Sequence, residues 1–148
     1  MAKAKIKDLR DWIDHLDSRG QLKRITTRVD WDQEMGALVR KVSGQAGPAL
    51  LFENIKDYPQ KSSLCSRLFT NGMGSRPRVA MALGLPPESD DRTITYTFKE
   101  RYKGRVKPKK VATGPVKENI VTGKGIDLFK LPVPRWNGMD GGRYINTA

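Results

Sequence analysis

Ala49-Leu50-Leu51-Phe52 is an unbroken apolar run of four residues, closed by Pro48 on one side and by the polar Glu53-Asn54 on the other. It is too short for a helix and lacks the polar alternation of a strand with one wet face, so it predicts a strand covered on both sides. A strand of that kind needs a layer above and a layer below, which points to an α/β arrangement. The helices to supply those layers are legible. Leu9, Trp12, Ile13 and Leu16 recur at i, i+3, i+4 and i+7, while Asp8, Asp11 and Asp14 lie towards the N-terminal end, where the helix dipole favours anions. Gly20 stops this helix. Leu22, Ile25 and Val29 then punctuate a polar strand candidate. Met35, Leu38, Val39 and Val42 repeat the helical spacing, with Asp32 as the expected N-cap and the turn from Gly44 to Pro48 as the end.

Further along, residues 64–69 read as another strand, with Cys65 as a small packing residue inside it. Gly72-Met73-Gly74-Ser75 leads into a short helix over Val79, Ala80 and Leu83, with Ser75 as N-cap and Pro77 in the first turn. Two glycines before a helix can cradle a phosphate, but Gly-x-Gly without a third glycine or a Gly-Lys-Ser reads as a plain turn. Residues 89–105 are ambiguous. Ile94, Phe98 and Tyr102 fit a helix and Ile94, Tyr96 and Phe98 fit a strand, and propensity leaves both open. Residues 116–121 read as a strand and Gly123-Lys124-Gly125 as a turn. In Leu131-Pro132-Val133-Pro134 two prolines fix φ and remove donors, so the segment runs extended as a connector. Gly141 and Gly142 permit a turn with positive φ, after which residues 144–147 read as a strand with an exposed edge. The expected organisation is a domain over residues 1–107 and the beginning of a second over residues 108–148, with the boundary near Pro108.

The net charge of +12 is concentrated towards the C-terminal side, where twelve Lys and Arg from Lys99 onward face four acids. Such a stretch attracts phosphates or an acidic surface. With Tyr96, Phe98 and Tyr102 nearby, a small nucleic-acid-binding protein is an alternative, although no RNA-binding or zinc-finger signature accompanies the charge. Cys65 is the only cysteine, which excludes a disulfide or thiolate cage within this chain and fits a reducing cytoplasm. His15 is the only histidine and reads as a helix-surface residue. No run of eighteen apolar residues and no secretory leader is present, so neither membrane spanning nor export is expected.

Seven patches occur in one order: Asp8-Leu9-Arg10-Asp11-Trp12-Ile13, Gly20-Gln21-Leu22-Lys23-Arg24-Ile25, Gly47 to Ile55, Arg78 to Gly84, Gly114-Pro115-Val116-Lys117-Glu118, Asp127 to Pro134, and Asp140-Gly141-Gly142-Arg143-Tyr144-Ile145. The ordered set resembles the N-terminal part of the UbiD family of decarboxylases. The resemblance implies a small N-terminal α/β domain followed by the first strands of a split β-barrel flavin-binding domain, with a helix over residues 89–105. It also implies an enzyme several times longer, acting on aromatic or α,β-unsaturated carboxylic acids with prenylated FMN, Mn2+ and K+ and a Glu-Arg-Glu set. Loss of carbon dioxide leaves an electron pair on carbon, and side chains are poor sinks for it, so a conjugated cofactor takes the charge.

No segment matches those downstream catalytic positions. Glu53 and Glu118 lie in family-like patches without matching the catalytic glutamates, and no catalytic or metal-binding residue is assigned. The resemblance places Thr147, with Asn146 and Tyr144 behind it, beside substrate or cofactor; the simpler reading is that Arg143 and Tyr144 only anchor the strand. The expected partners are a C-terminal region or a separate catalytic subunit, in an oligomer when complete. A non-catalytic docking module is the competing class.

Overall fold

The computed structural model describes residues 6–61 and 64–145. The apolar run forms β2 (Ala49–Phe52), the middle of a three-stranded sheet in the order β1-β2-β3. β1 (Leu22–Ile25) pairs with it in parallel, Leu22 opposite Ala49 and Ile25 opposite Phe52. β3 (Leu68–Thr70) pairs antiparallel on the other side, Phe52 opposite Leu68 and Leu50 opposite Thr70.

All four β2 residues are buried, and the pleat sends them alternately to two cores. Ala49 and Leu51 join Trp12, Leu16, Leu22 and Met81 on the side of α1 (Leu9–Ser18) and α3 (Arg76–Ala82). Leu50 and Phe52 join Val29, Met35, Ile55 and Tyr58 on the side of α2 (Glu34–Gly44). The α/β layering expected from the sequence is present. α1 begins on Asp8, whose Oδ1 accepts from the backbone N–H groups of Arg10 at 2.8 Å and Asp11 at 3.0 Å, and His15 stacks on Trp12 at its surface with centroids 5.9 Å apart.

Several local expectations are corrected. Asp32 does not cap α2; Gln33 holds the N-cap position at φ 67°, and the Asp32 carboxylate is taken by Arg135. The strand expected over residues 64–69 starts only at Leu68, because its partner β2 ends at Phe52 opposite that residue, so Cys65 is exposed outside the sheet. Ser75 precedes α3 as expected, yet its hydroxyl makes no capping bond. Residues 116–121 form no strand. Pro115–Lys117 is a single 3₁₀ turn, since no neighbouring strand offers ladder partners to this exposed stretch. Tyr144 and Ile145 also lie outside any ladder, and the remainder of the strand expected over residues 144–147 falls outside the described residues.

The ambiguous stretch is helical. α4 (Asp91–Lys103) starts from Asp90, whose Oδ1 accepts from Thr93 N–H at 2.8 Å, so the helix-initiating cap outweighs the β-preference of the threonines. From 101 to 130 every residue except Gly114 is exposed. The chain returns to the core only at Pro132 and Pro134, both buried.

Arg78 on α3 is the one charged side chain in the core of the described residues, 1% exposed. Its Nη1 donates to Gln21 Oε1 at 3.3 Å while Nε and Nη2 have no partner, and burial pushes its pKa below the usual arginine value. A buried charge with one weak hydrogen bond costs more in desolvation than it regains. Arg78→Met is therefore expected to leave stability unchanged or raise it by about 1 kcal/mol in urea denaturation. A loss of more than about 2 kcal/mol would show instead that the guanidinium is fully compensated.

Candidate functional site

The segment after residue 108 returns onto the α/β unit around the turn that enters α2, through Arg135 on Asp32, Trp136 against Gly36, Asn137 on Arg40, and Phe129 and Arg143 against Tyr58 and Trp31. Trp31 and Asp32 lie in the turn that enters α2, and residues 131–137 lie alongside them. Arg135 N–H donates to Trp31 O at 3.1 Å and Gln33 N–H donates to Arg135 O at 2.8 Å, giving the backbone a short parallel bridge between Asp32 and Arg135. The Arg135 guanidinium grips Asp32 with Nε 2.6 Å from Oδ1 and Nη2 2.9 Å from Oδ2, a two-pronged geometry that only arginine provides. The hydrogen bond from Arg135 is the main reason the Asp32 carboxyl sits below its ordinary value of 3.8. The same contact raises Arg135.

Gly36 in the first turn of α2 is what lets this segment approach. A Cβ there would lie 2.1 Å from the carbonyl oxygen of Trp136. Arg40 Nη2 reaches Asn137 Oδ1 one turn further on, and Asn137 N–H donates to Asp140 Oδ2 at 2.9 Å, which tightens the turn before Gly141.

Beyond that turn Arg143 is sandwiched. Its Cζ lies 4.5 Å from the ring centroid of Trp31, 4.9 Å from Phe129 and 6.0 Å from Tyr58. Trp31 is held by Nε1 donating to Asp57 Oδ2 at 3.1 Å, and Tyr58 Oη donates to Phe129 O at 2.8 Å. Three rings from three separate stretches of chain thus converge on one guanidinium, a cation–π arrangement that strengthens as water is excluded. Beside it lies a cavity of about 290 Å3 lined by Leu128, Phe129, Val133, Arg143, Tyr144 and Ile145. Tyr144 lines this cavity and is exposed; Asn146 and Thr147 lie outside the described residues.

The arrangement can fix the direction in which the chain runs onward from Ile145, and it offers an apolar, aromatic wall. Among the described residues no three His, Cys, Asp or Glu side chains come together where they could hold a metal ion. Sequence reasoning had Arg143 only as a strand anchor and did not single out Trp31, Gly36 or Arg135. The available signal was the arginine and tryptophan density in Pro134-Arg135-Trp136 and Arg143-Tyr144, which marks stacking but not the partner.

Comparison with known proteins decides what this scaffold is. Residues 13–97 match the 3-octaprenyl-4-hydroxybenzoate carboxy-lyase N-terminal domain and residues 107–148 match the Rift-related domain of the same carboxy-lyase. The chain belongs to the UbiD family. It is 34% identical over 144 residues to pyrrole-2-carboxylic acid decarboxylase of Pseudomonas aeruginosa, covering 95% of this chain and 29% of that protein. It is 36% identical over 146 residues to phenolic acid decarboxylase of Bacillus subtilis, covering 96% and 30%.

Among solved UbiD-class structures, vanillic acid decarboxylase of Sedimentibacter hydroxybenzoicus in closed form superposes with a TM-score of 0.81 at 33% identity, over 96% of this chain and 30% of that one. HmfF of Pelotomaculum thermopropionicum, solved with FMN, superposes with a TM-score of 0.75 at 32% identity, over 93% and 28%. The chain therefore spans about 30% of the length of the relatives it matches. The α/β fold with its small sheet is that of the UbiD-class structures. No helix among the described residues is long and apolar enough to cross a membrane.

Gly36→Ala is expected to destabilise the protein by about 1–3 kcal/mol, because the obstructing atom is backbone and the segment around Trp136 has to shift. Chemical denaturation followed through tryptophan fluorescence measures it, and a neutral result would mean the close approach is dispensable. The depressed Asp32 gives a pH dependence of definite sign. Its contribution is fully present above the ordinary 3.8 and is lost as pH falls through the lower folded value, so acid loosens the Asp32–Arg135 clasp. Asp32→Asn should remove that part of the acid transition; an unchanged acid limb would assign it to other carboxylates.

Proposed function

We propose that this chain is the N-terminal portion, or a separately encoded small subunit, of a prenylated-FMN-dependent UbiD decarboxylase acting on aromatic or α,β-unsaturated carboxylic acids, and that it is inactive alone. The observation that carries this reading is the asymmetry of coverage: almost all of this chain matches its relatives, and under a third of each relative is matched. The relatives are named for pyrrole-2-carboxylic and phenolic acids, and HmfF was also solved in an evolved dimeric form with prenylated FMN.

In this reading residues 1–107 are the α/β domain, and residues 108–148 are a linker and the beginning of a split barrel completed by other sequence. The Trp31–Arg143–Phe129 stack then joins the two, and Tyr144, Asn146 and Thr147 are the residues proposed to lie near substrate or cofactor. Prenylated FMN, Mn2+ and K+ are assigned to the complete enzyme. The cavity beside Arg143 does not fit a flavin: at about 290 Å3 it is small, and its one cation, Arg143, has Nε buried and its faces occupied by rings rather than free for a phosphate. The complete assembly is proposed to be an oligomer in the cytoplasm.

A docking module for a separate catalytic subunit is the second reading. It is favoured by the exposed apolar side chains of the second segment, Val116, Ile120, Val121, Ile126 and Leu128 among them. The vanillic acid decarboxylase has been solved with a truncated ShVdcD beside it.

The purified 148-residue chain, supplied with prenylated FMN and Mn2+, is expected to retain no flavin absorbance after gel filtration and to release no carbon dioxide from pyrrole-2-carboxylate or a phenolic acid. Stoichiometric flavin retention would place the site in this chain and overturn the proposal.

A further inference from the structure

Helix α4 (Asp91–Lys103) buries none of its thirteen residues. A helix of that length is marginal in water, and Thr93, Ile94, Thr95 and Thr97 are poor helix formers. What holds it within the chain is slight: the Asp90 cap, an exposed Lys103–Glu100 pair at 2.6 Å, Arg92 over the Tyr96 ring at 5.8 Å, and one side of α3. Meanwhile Tyr96, Phe98 and Tyr102 are 56, 59 and 69% exposed, and the rings of Phe98 and Tyr102 stack on one another in solvent with centroids 6.1 Å apart. Aromatic surface of this extent on a weakly held helix marks an interaction site.

Its charge and surroundings define the partner. Between Asp91 and Lys110 eight Lys and Arg face two acids, and one of those, Glu100, is tied to Lys103. A second copy of this chain would bring like charges face to face, which disfavours self-association through α4. A nucleic acid would use the rings and the cations, but the exposed aliphatic side chains that follow, Val106, Val111, Val116, Ile120 and Val121, offer bases nothing to stack on. A protein surface with an apolar centre and acidic rim covers all three chemistries.

We propose that α4 and the exposed stretch behind it form a docking surface for an acidic, apolar-centred protein surface carried by the part of the longer enzyme beyond the matched region. This rests on the reading of the chain as a portion of a UbiD decarboxylase. Burial of Phe98 and Tyr102 against that surface supplies the stability that α4 lacks by itself, and the Lys and Arg around them set its orientation.

The test is hydrogen exchange of the 148-residue chain alone and fused ahead of the part of Bacillus subtilis phenolic acid decarboxylase that lies beyond the match. The amides of α4 should exchange as an open helix in the chain alone and about tenfold or more slowly in the fusion, and Phe98→Ser with Tyr102→Ser should abolish the slowing while β2 stays protected. Equal exchange in both overturns the proposal. A fusion that decarboxylates with α4 unslowed sinks the docking surface and leaves the enzyme-portion reading standing; a slowed α4 supports the docking surface whether or not the fusion turns over. In the chain alone the double variant should keep its thermal midpoint within about 2 °C, because these exposed rings touch little there besides one another. A larger drop shows that they serve the chain's own core, and saturable binding of polyuridylate at physiological salt that the double variant abolishes assigns the face to nucleic acid; either result overturns the proposal.

Discussion

Burial of β2 on both faces is the constraint from which the rest of this structure follows. A strand of four apolar residues with no polar side must be sandwiched, and its alternating side chains oblige one layer to be supplied by α1 and α3 and the other by α2. The second layer has a further consequence. Packing α2 against Leu50 and Phe52 through Met35 fixes the turn before it, and that turn carries Trp31 and Asp32, the two residues on which the second segment is anchored.

The two anchors differ in physical kind. Asp32–Arg135 is a two-pronged ion pair at the surface, weak in energy but strict in direction, so its value is in setting register. The Arg143 stack is a half-buried cation among rings, held by face contacts rather than by an ion pair. Gly36 serves the first of these, since a side chain at that position would meet the Trp136 backbone next to Arg135. Together the two anchors give a proline-fixed connector a defined heading, which is what a scaffold must provide if the reacting groups are delivered by other parts of a longer UbiD enzyme.

Much of this molecule is nevertheless turned outward. Residues 101–130 lie almost wholly in solvent, and α4 presents aromatic rings that stack on side chains of the same helix and remain more than half exposed. Exposed apolar surface of that extent is what marks interaction sites, and it is the surface on which the proposed docking takes place.

The sequence by itself determined the elements whose signal is local: the helix of Leu9, Trp12, Ile13 and Leu16 with its Asp8 cap, the double-faced strand Ala49–Phe52, the helix through Met35 to Val42, and the ordered motifs of the family. It misread the elements whose fate depends on a neighbour. The strand expected over residues 64–69 shrank to the length its partner could pair, and residues 116–121 found no ladder at all. Asp32, a sound cap by its position, was drawn away by an arginine more than a hundred residues later. Only the tertiary structure could bring Trp31, Tyr58, Phe129 and Arg143 to one point or show why position 36 has to be glycine, because those contacts join stretches far apart in the chain and periodicity carries no information about them.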